Sequence, residues 1–195
     1  MINVPKYNKE NRRQSFEILP KGAYVCKIMD LEEVTYKNGK RGIKISFDIA
    51  EGEYKDFYAE QYRKSTSEDK HWSYDAVYYI SIPFDGCEAY IQTNWDTFWA
   101  DIEDSNNGFV FDGDEKKVKG KVFGGVFRIE QTEYNGNVYD HTRLAGTRVA
   151  QDVRDGKVTK LPKDKLIENA SSSVSAEDFI SIEADEEDLP FGNKK

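Results

Sequence analysis

Residues 42–49 read GIKISFDI, an uninterrupted alternation of apolar and polar side chains. Isoleucine or phenylalanine occupies each odd position from 43 to 49, and Lys44, Ser46 and Asp48 stand between them. Because successive side chains of a β-strand point to opposite faces, this alternation predicts a strand with one buried and one solvated face. The chain is therefore expected to be built on an antiparallel sheet with its core on one side.

Strand and turn signals lie on both sides of this stretch. Residues 24–36 are rich in strand-forming side chains, and Asn38-Gly39 then supplies residues that tolerate the positive φ angles of a tight hairpin turn. Gly52 ends the alternating pattern, and residues 57–62 are predicted to form a third strand. Three antiparallel strands are thus expected in succession.

A long connection and one helix are predicted next. Residues 63–91 begin as a charged loop and contain one short predicted strand at 77–82. Thr93-Asn94 offers an N-cap, and aromatic or apolar residues at positions 95, 98, 99 and 102 have the spacing of one helical face. A helix with that face is expected to pack on the core.

A second hairpin completes the predicted set of elements. Residues 121–132 and 138–149 are predicted strands, and Asn135-Gly136 repeats the hairpin signal between them. Three strands, a helix and two strands is the element order of the OB-fold, a five-stranded Greek-key barrel. The expected fold class is mainly β with a minor helical part and OB-fold-like, although other β-rich folds share this order.

The amino-acid composition distinguishes a central, more hydrophobic body of the chain from two polar ends. The chain has 195 residues, of which 38% are hydrophobic and 13% aromatic, enough for one core. Arg12-Arg13 in the polar amino-terminal part is either part of a frayed arm or a contact to nucleic acid. The predicted divisions are a polar arm (1–21), an OB-fold-like domain (22–150), a linker (151–176) and an acidic tail (177–195).

Charge is distributed unevenly along the chain. The net charge is -8, but residues 177–191 contain seven acidic residues and no Lys or Arg. The body is therefore close to neutral, and its first fifty residues carry ten Lys/Arg against six Asp/Glu. A basic strip that attracts nucleic acid is compatible with this distribution.

Metal, cofactor and membrane signals are absent from the sequence. Cys26 and Cys87 lack metal-ligand spacing in a chain with two histidines, so both are predicted to be free, buried thiols. No cofactor motif is recognised. The amino terminus has no apolar signal segment and no apolar run has membrane length, which predicts a cytoplasmic protein.

The OB-fold order predicts where a ligand binds. In that fold the second and third strands, with the loops joining strands one to two and four to five, form the oligonucleotide face. Aromatic rings interleaved with cations suit a single strand, because a base stacks on a ring for roughly 1 to 3 kcal/mol while Lys and Arg follow the phosphates. The predicted nucleic-acid-binding residues are Tyr36, Lys37, Lys40, Arg41, Lys44, Tyr58, Tyr62, Arg63, Lys64, Tyr134, Tyr139, His141 and Arg143.

Each of these residues also has an ordinary interpretation. Tyrosine is common in strands, and a lysine in a turn is usually only solvated. His71-Trp72 in the long connection is a further stacking candidate, although Trp72 is better explained as a cover for the edge of the core. The face as a whole is therefore a firmer prediction than any one of its residues.

An enzymatic alternative has weaker support. Asp48 followed by Glu53-Tyr54-Lys55 faintly resembles the carboxylate and Glu-x-Lys arrangement of metal-dependent nucleases, in which acids hold Mg²⁺. No phosphate-binding glycine loop, Cys/His nucleophile pair or nucleophile elbow is recognised. The protein is therefore predicted to be non-catalytic.

Two segments resemble known families. Residues 185–191, DEEDLPF, resemble the acidic tip of bacterial and phage single-stranded DNA-binding proteins, although residues 192–195 follow the phenylalanine that is normally last in that family. LPKGAY (19–24) and KGKVFGG (119–125) are similar to a family of phage and prophage proteins of Gram-positive hosts, over residues 19 to about 165.

These resemblances imply a protein that coats single-stranded DNA during phage replication or recombination, in the cytoplasm of the bacterial host. They also imply that the tail recruits replication or recombination proteins through Asp185, Glu186, Glu187, Asp188, Leu189, Pro190 and Phe191. An anionic tail is also expected to compete with DNA for a basic face.

A protein-interaction adaptor that binds no DNA is the main alternative. Its β-barrel would bind a phage or host protein, and its tail would only keep it soluble. A strand binder loses affinity as salt rises, because its phosphate contacts release counterions, whereas an adaptor ignores oligonucleotides. The sequence leaves open whether the protein forms homo-oligomers.

Overall fold

The computed structural model describes residues 17–67 and 69–167. Within them it has five strands: β1 Ala23–Thr35, β2 Arg41–Ile49, β3 Val77–Ser81, β4 Val122–Tyr134 and β5 Asn137–Arg148. Its helices are α1 Phe57–Lys64, α2 Ala89–Ser105, α3 Glu115–Val118 and α4 Ala150–Arg154, with a 3₁₀ turn at Tyr74–Ala76. Arg12-Arg13, the end of the predicted linker and the whole predicted tail lie outside the described residues.

All five strands form one antiparallel sheet in the order β3-β2-β1-β4-β5. β1 is central: its first residues pair with β4, and most of its length pairs with β2. Among the described residues no ladder joins β3 to β5, so the sheet is open. The mainly β fold class is confirmed, as is a helix between the third and fourth strands.

The two hairpin turns lie where the sequence predicts them. Asn135 and Gly136 both have positive φ, 51° and 74°, as a two-residue hairpin turn requires. In the first hairpin only Gly39 has positive φ, and the loop is closed by a hydrogen bond from Tyr36 N to Lys40 O. The Asn38 side chain accepts a further bond from Lys40 N at 3.0 Å.

The predicted third strand at residues 57–62 is wrong, because this segment forms helix α1. Its aromatic residues favoured a strand, but it also contains Ala59, Glu60 and Gln61, which are compatible with a helix. The third strand of the sheet is instead β3, the short strand that was expected inside the long connection.

Helix α1 is capped by a residue from β2. The Asp48 carboxylate accepts hydrogen bonds from the N–H groups of Ile49 and Tyr58 at 2.9 Å and of Ala59 at 3.1 Å. Asp56 stands at the N-cap position but its side chain makes no capping bond. Asp48 therefore satisfies the first turn of α1 from a neighbouring strand, which local sequence does not reveal.

Helix α2 starts earlier than predicted. It begins at Ala89, four residues before Thr93, and its first turn buries Ile91. Ile91 thus extends by one turn the apolar face that contains Phe98, Trp99 and Ile102. The helix is where the sequence predicts it, but its predicted N-cap at Thr93-Asn94 is wrong.

Phe47 lies at the centre of the core and is fully buried. Its ring contacts those of Tyr58, Phe123 and Phe127 edge-on, with centroid distances of 6.0, 6.1 and 5.8 Å. These contacts connect β2 to α1 and to β4. The prediction that the apolar residues of the alternation in β2 face the core is therefore confirmed.

The packed body includes residues on both sides of the predicted range 22–150. Leu19 is buried, and its carbonyl accepts a hydrogen bond from the Thr142 hydroxyl. Near the other end, Lys165 N donates to Ile129 O at 2.9 Å, and Lys165 O accepts from Gln131 N at 2.8 Å. The domain boundaries themselves stay predictions.

The two cysteines differ in exposure. Cys26 is fully buried, as predicted, whereas Cys87 is partly exposed, so its predicted burial is wrong. Both thiols are free. Within the described part of the chain, no helix is long and apolar enough to cross a membrane.

Gly125 lies where strand and core side chains approach closely. A Cβ atom added there would lie 2.8 Å from Leu144 Cδ1 and from Phe127 Cε2, and 3.0 Å from Cys26 Sγ. Such distances are shorter than ordinary packing contacts, so a larger side chain forces its neighbours to move. Glycine is required here by packing.

Gly125→Ala is expected to lower the free energy of unfolding by about 1 to 3 kcal/mol because it overpacks the core. Urea denaturation of the full chain measures this change. Gly146→Ala on β5 is the matched control, since its added Cβ would meet only Val126 Cγ2, at 3.7 Å. Equal stabilities of the two variants would contradict the requirement for close approach at Gly125.

Candidate functional site

A pocket of about 220 Å³ lies on β2, β3 and the connection that precedes β3. We call it the β2–β3 pocket. It combines four strand residues with a histidine and two aromatic residues of the connection. Its lining consists of Lys44, Ser46, Val77, Tyr79, His71, Trp72 and Tyr74.

The register of β2 and β3 places the strand residues of the pocket side by side. Lys44 pairs with Tyr79, and Ser46 pairs with Val77. Between them along β2, Ile45 is fully buried on the opposite face. Because paired residues of an antiparallel sheet share a face, the alternation that buries Ile45 also displays Lys44 and Ser46.

The wall of the pocket is fixed by hydrogen bonds to the sheet and within the connection. Trp72 Nε1 donates to Phe47 O at 3.2 Å, so Trp72 covers the edge of the core, as the sequence indicates, and lines the pocket as well. The His71 and Tyr74 rings lie 4.8 Å apart, and Tyr74 is 46% exposed. The exposed Tyr74 ring, in a wall that hydrogen bonds keep in place, is available to stack on another ring.

Asp75, beside Tyr74, connects the pocket wall to β5. His141 Nδ1 lies 3.0 Å from Asp75 Oδ1, and Arg143 Nε donates to the same oxygen at 3.4 Å. The other ring nitrogen of His141 lies 2.9 Å from Thr132 Oγ1. His141 and Arg143, predicted to contact nucleic acid, are therefore bound to a carboxylate that positions the wall.

Tyr36 lies on the same face as Lys44. Its ring packs over Gly42, because a Cβ atom on Gly42 would come within 2.2 Å of the Tyr36 hydroxyl oxygen. Gly42 and Lys44 are two residues apart on β2 and so share a face. Burial raises the pKa of the Tyr36 phenol, the Ser81 side chain opposes that effect, and the neighbouring Tyr79 adds a smaller rise.

Besides Arg143, three of the predicted cations are paired with carboxylates. Arg41 binds Glu33 through two hydrogen bonds, at 2.5 and 2.8 Å. Lys44 contacts Glu32 at 2.7 Å. Lys64 likewise contacts Glu60. The single contacts of Lys44 and Lys64 contribute little to stability because solvent screens them, so a phosphate can replace the carboxylate there at small cost, whereas the bidentate pair of Arg41 is held more firmly.

Tyr58 is buried, and its predicted outward position is wrong. It is 3% exposed, because residues 57–62 form a helix whose first turn packs on Phe47. Tyr62, one turn later, is 40% exposed. Its ring centroid lies 6.0 Å from that of Trp72, so α1 brings Tyr62 beside the pocket wall.

The remaining predicted residues do not line the pocket. Tyr134 and Tyr139 are 38% and 47% exposed near the tip of the β4–β5 hairpin. Lys37 is exposed in the first hairpin loop, where Lys40 Nζ lies 5.1 Å from the centroid of the Phe84 ring. Arg63 is exposed on α1, and its Nε donates to Ala59 O at 3.2 Å.

Six of the seven pocket residues are missing from the predicted nucleic-acid-binding set, and two of them, His71 and Trp72, are only a further stacking candidate in the sequence. Ser46, Val77 and Tyr79 belong to strands that the sequence predicts, but the register of β3 against β2 is not visible in local sequence. Tyr74 lies in the 3₁₀ turn. Tyr79 stands at an alternate position of the predicted strand 77–82. This alternation is the sequence signal that could have placed Tyr79 on the same face as Lys44.

Asp48, the first carboxylate of the nuclease alternative, is committed to helix α1. Its burial raises its pKa, while the three backbone donors oppose that effect. Glu53 and Lys55, which the alternative also needs, are exposed in the turn that follows β2. Among residues 17–67 and 69–167, no three His, Cys, Asp or Glu side chains are grouped closely enough to hold a metal ion.

Comparison of the chain with known proteins gives no family. No protein-family model matches it, and no curated protein matches it significantly. The function therefore has to be inferred from the geometry of the site.

Asp48→Ala is expected to lower the free energy of unfolding by about 2 to 4 kcal/mol, because buried N–H groups lose their acceptor. Chemical denaturation measures the loss, and far-ultraviolet circular dichroism reports the helix. The control is Asp56→Asn, which keeps a residue that tolerates the positive φ of 59° at the N-cap position. If Asp48→Ala is no less stable than Asp56→Asn, Asp48 does not cap α1.

Proposed function

We propose that the protein binds single-stranded DNA without catalysis and with little sequence preference, through the β2–β3 pocket and the cations beside it. The observation that carries this proposal is the combination of Trp72, Tyr74 and Tyr79 with Lys44 in one pocket. Every base has an aromatic face, so stacking on such rings tolerates any sequence.

The surroundings of the pocket support the same chemistry. Tyr62 extends the aromatic surface on one side, and Lys70 Nζ lies 5.7 Å from the centroid of its ring. Tyr36 extends the surface along β2. Rings flanked by cations suit bases and phosphates together, and the solvent-screened ion pair of Lys44 with Glu32 leaves that cation exchangeable.

The fold also supports the proposal. An antiparallel sheet of five strands with α2 between β3 and β4 is compatible with the partly open OB barrel. Asp75, which precedes β3, contacts β5 at the other edge of the sheet, and this contact is compatible with a partly open barrel. In the OB-fold the face of the second and third strands binds oligonucleotides, and here that face carries the pocket.

The biological setting and the role of the tail rest on the sequence resemblance. We assign the protein to phage DNA replication or recombination in the bacterial cytoplasm, where it coats exposed strands. Residues 185–191 would recruit partner proteins or compete with DNA for the binding face. These residues lie outside the described structure.

Binding of a labelled oligothymidylate to the full chain, followed by fluorescence anisotropy, tests the proposal. Affinity is expected to fall as salt rises, with a slope of log K against log salt of about -0.7 per phosphate contact. Tyr74→Ala is expected to weaken binding about tenfold, because one stacking contact contributes roughly 1 to 3 kcal/mol. Duplex DNA of the same length should bind more weakly.

The matched control is Tyr90→Ala. Tyr90 is 41% exposed on α2, close to the exposure of Tyr74, and does not line the pocket. The Tyr90→Ala variant should bind oligothymidylate with the affinity of the wild type. Absence of binding by the full chain at low salt, with the protein folded, would reject strand binding and leave the adaptor alternative.

A truncation ending at Ser175 tests the competing role of the tail. It removes the seven acidic residues of 177–191 and is expected to bind oligothymidylate more tightly than the full chain at low salt. The difference should shrink at moderate salt, where charge interactions are screened. Equal affinities at low salt would show that the tail does not compete with DNA.

A further inference from the structure

An exposed aromatic ring with a cation on it lies beyond the end of β3. Lys40 Nζ is 5.1 Å from the centroid of the Phe84 ring, and Phe84 is 44% exposed. The β2–β3 pocket does not include either residue. We call them the Lys40–Phe84 pair.

Strand register aligns this pair with the pocket. Ser46 with Val77, Lys44 with Tyr79 and Gly42 with Ser81 are successive cross-strand pairs on the face opposite the core. Alternate residues of a strand share a face, so these pairs form a row along β2 and β3. The row begins in the pocket and runs toward the start of β2.

Backbone pairing continues past the last of these pairs. Ile82 N donates to Arg41 O at 2.9 Å, although β3 itself ends at Ser81. This bond keeps the chain after β3 alongside the start of β2. It therefore brings Phe84 next to Lys40, at the end of the row away from the pocket.

Tyr36 occupies the interval between the pocket and the Lys40–Phe84 pair. Gly42 has no side chain, and the Tyr36 ring fills the space that a side chain there would take. Tyr36 therefore lies over the Gly42–Ser81 pair, the next cross-strand pair after Lys44–Tyr79. Aromatic rings thus follow one another along the whole row.

The length of the row indicates how much nucleic acid it can contact. From residue 77 to residue 81 β3 advances by about 13 Å, at about 3.3 Å per strand residue, and Phe84 lies beyond its end. Faces of this kind contact about 4 to 16 nucleotides in known OB-folds. A row that spans only two strands is expected to contact a number of nucleotides near the lower end of this range.

We propose that the face of β2 and β3 is a linear path for about four nucleotides of single-stranded DNA, with the β2–β3 pocket at one end and the Lys40–Phe84 pair at the other. This inference rests on the proposed function and adds to it a second stacking subsite and the course of the strand. Phe84 stacks on a base, and Lys40 contacts the adjoining phosphate.

Anisotropy titration of labelled octathymidylate with the full chain tests the second subsite. Phe84→Ala is expected to weaken binding about fivefold or more, since it removes one stacking ring. Lys40→Gln is expected to reduce the steepness of the salt dependence, because one phosphate contact is lost. Tyr90→Ala is again the matched control, and melting curves check that each variant is folded.

Photo-crosslinking determines the course of the strand. An octanucleotide carrying one 5-iododeoxyuridine is irradiated with the full chain, with the label moved stepwise along it, and the crosslinked peptides are identified by mass spectrometry. Labels toward one end are expected to crosslink to Trp72 or Tyr74. Labels a few nucleotides further along are expected to crosslink to Tyr79 and then to Phe84.

The outcomes separate this inference from the proposed function. If the wild type binds but Phe84→Ala binds as tightly as Tyr90→Ala, and labels crosslink only within the pocket, the path is overturned while strand binding stands. If the folded wild type binds no oligonucleotide, the proposed function fails and the path fails with it. Weakened binding of Phe84→Ala with crosslinks at both ends supports the path.

Discussion

The alternation of side chains along β2 is the constraint on which both the core and the pocket depend. Ile45 and Phe47 are fully buried on one face, while Lys44 and Ser46 line the pocket on the other. Because the side-chain period of a strand is two, a register slip of one residue would exchange the two faces completely. The packing energy that holds Phe47 in place therefore also holds Lys44 beside Tyr79.

Asp48 is the exception in that alternation, and it positions the part of the site that α1 contributes. It occupies a polar position of the pattern, yet it is fully buried because its carboxylate is bound to the first turn of α1. The helix that it caps places Tyr62 against Trp72 in the pocket wall. One buried carboxylate thus connects the end of a core strand to the aromatic surface of the site.

Local patterns in the sequence are sufficient to predict most strands and turns of the sheet. The alternation of β2 and the paired positive φ angles at Asn135-Gly136 are local properties, and both are found where they were predicted. The sequence predicts a strand in place of helix α1, because its aromatic residues favour a strand and its cap, Asp48, comes from another element. A residue eight or more positions away from a helix leaves no signal in the helix's own sequence.

The candidate site was only partly predictable for the same reason. Tyr36 and Lys44 were identified from their own strands and loops, and the structure places them on one face. Tyr79 joins them only through the register of β3. His141 is bound to a carboxylate 66 positions away in sequence, a contact that no spacing rule predicts.

The bond between Asp75 and β5 also has a mechanical consequence. In the described part of the chain, the edges β3 and β5 are joined through side chains of the 3₁₀ turn and not through a backbone ladder. Helix α2 also packs on both edges, but breaking the contacts of Asp75 alone leaves the four strand ladders intact. The wall of the site is therefore attached to β5 by side-chain contacts that can break without loss of a strand ladder, and local opening there widens the site without unfolding the sheet.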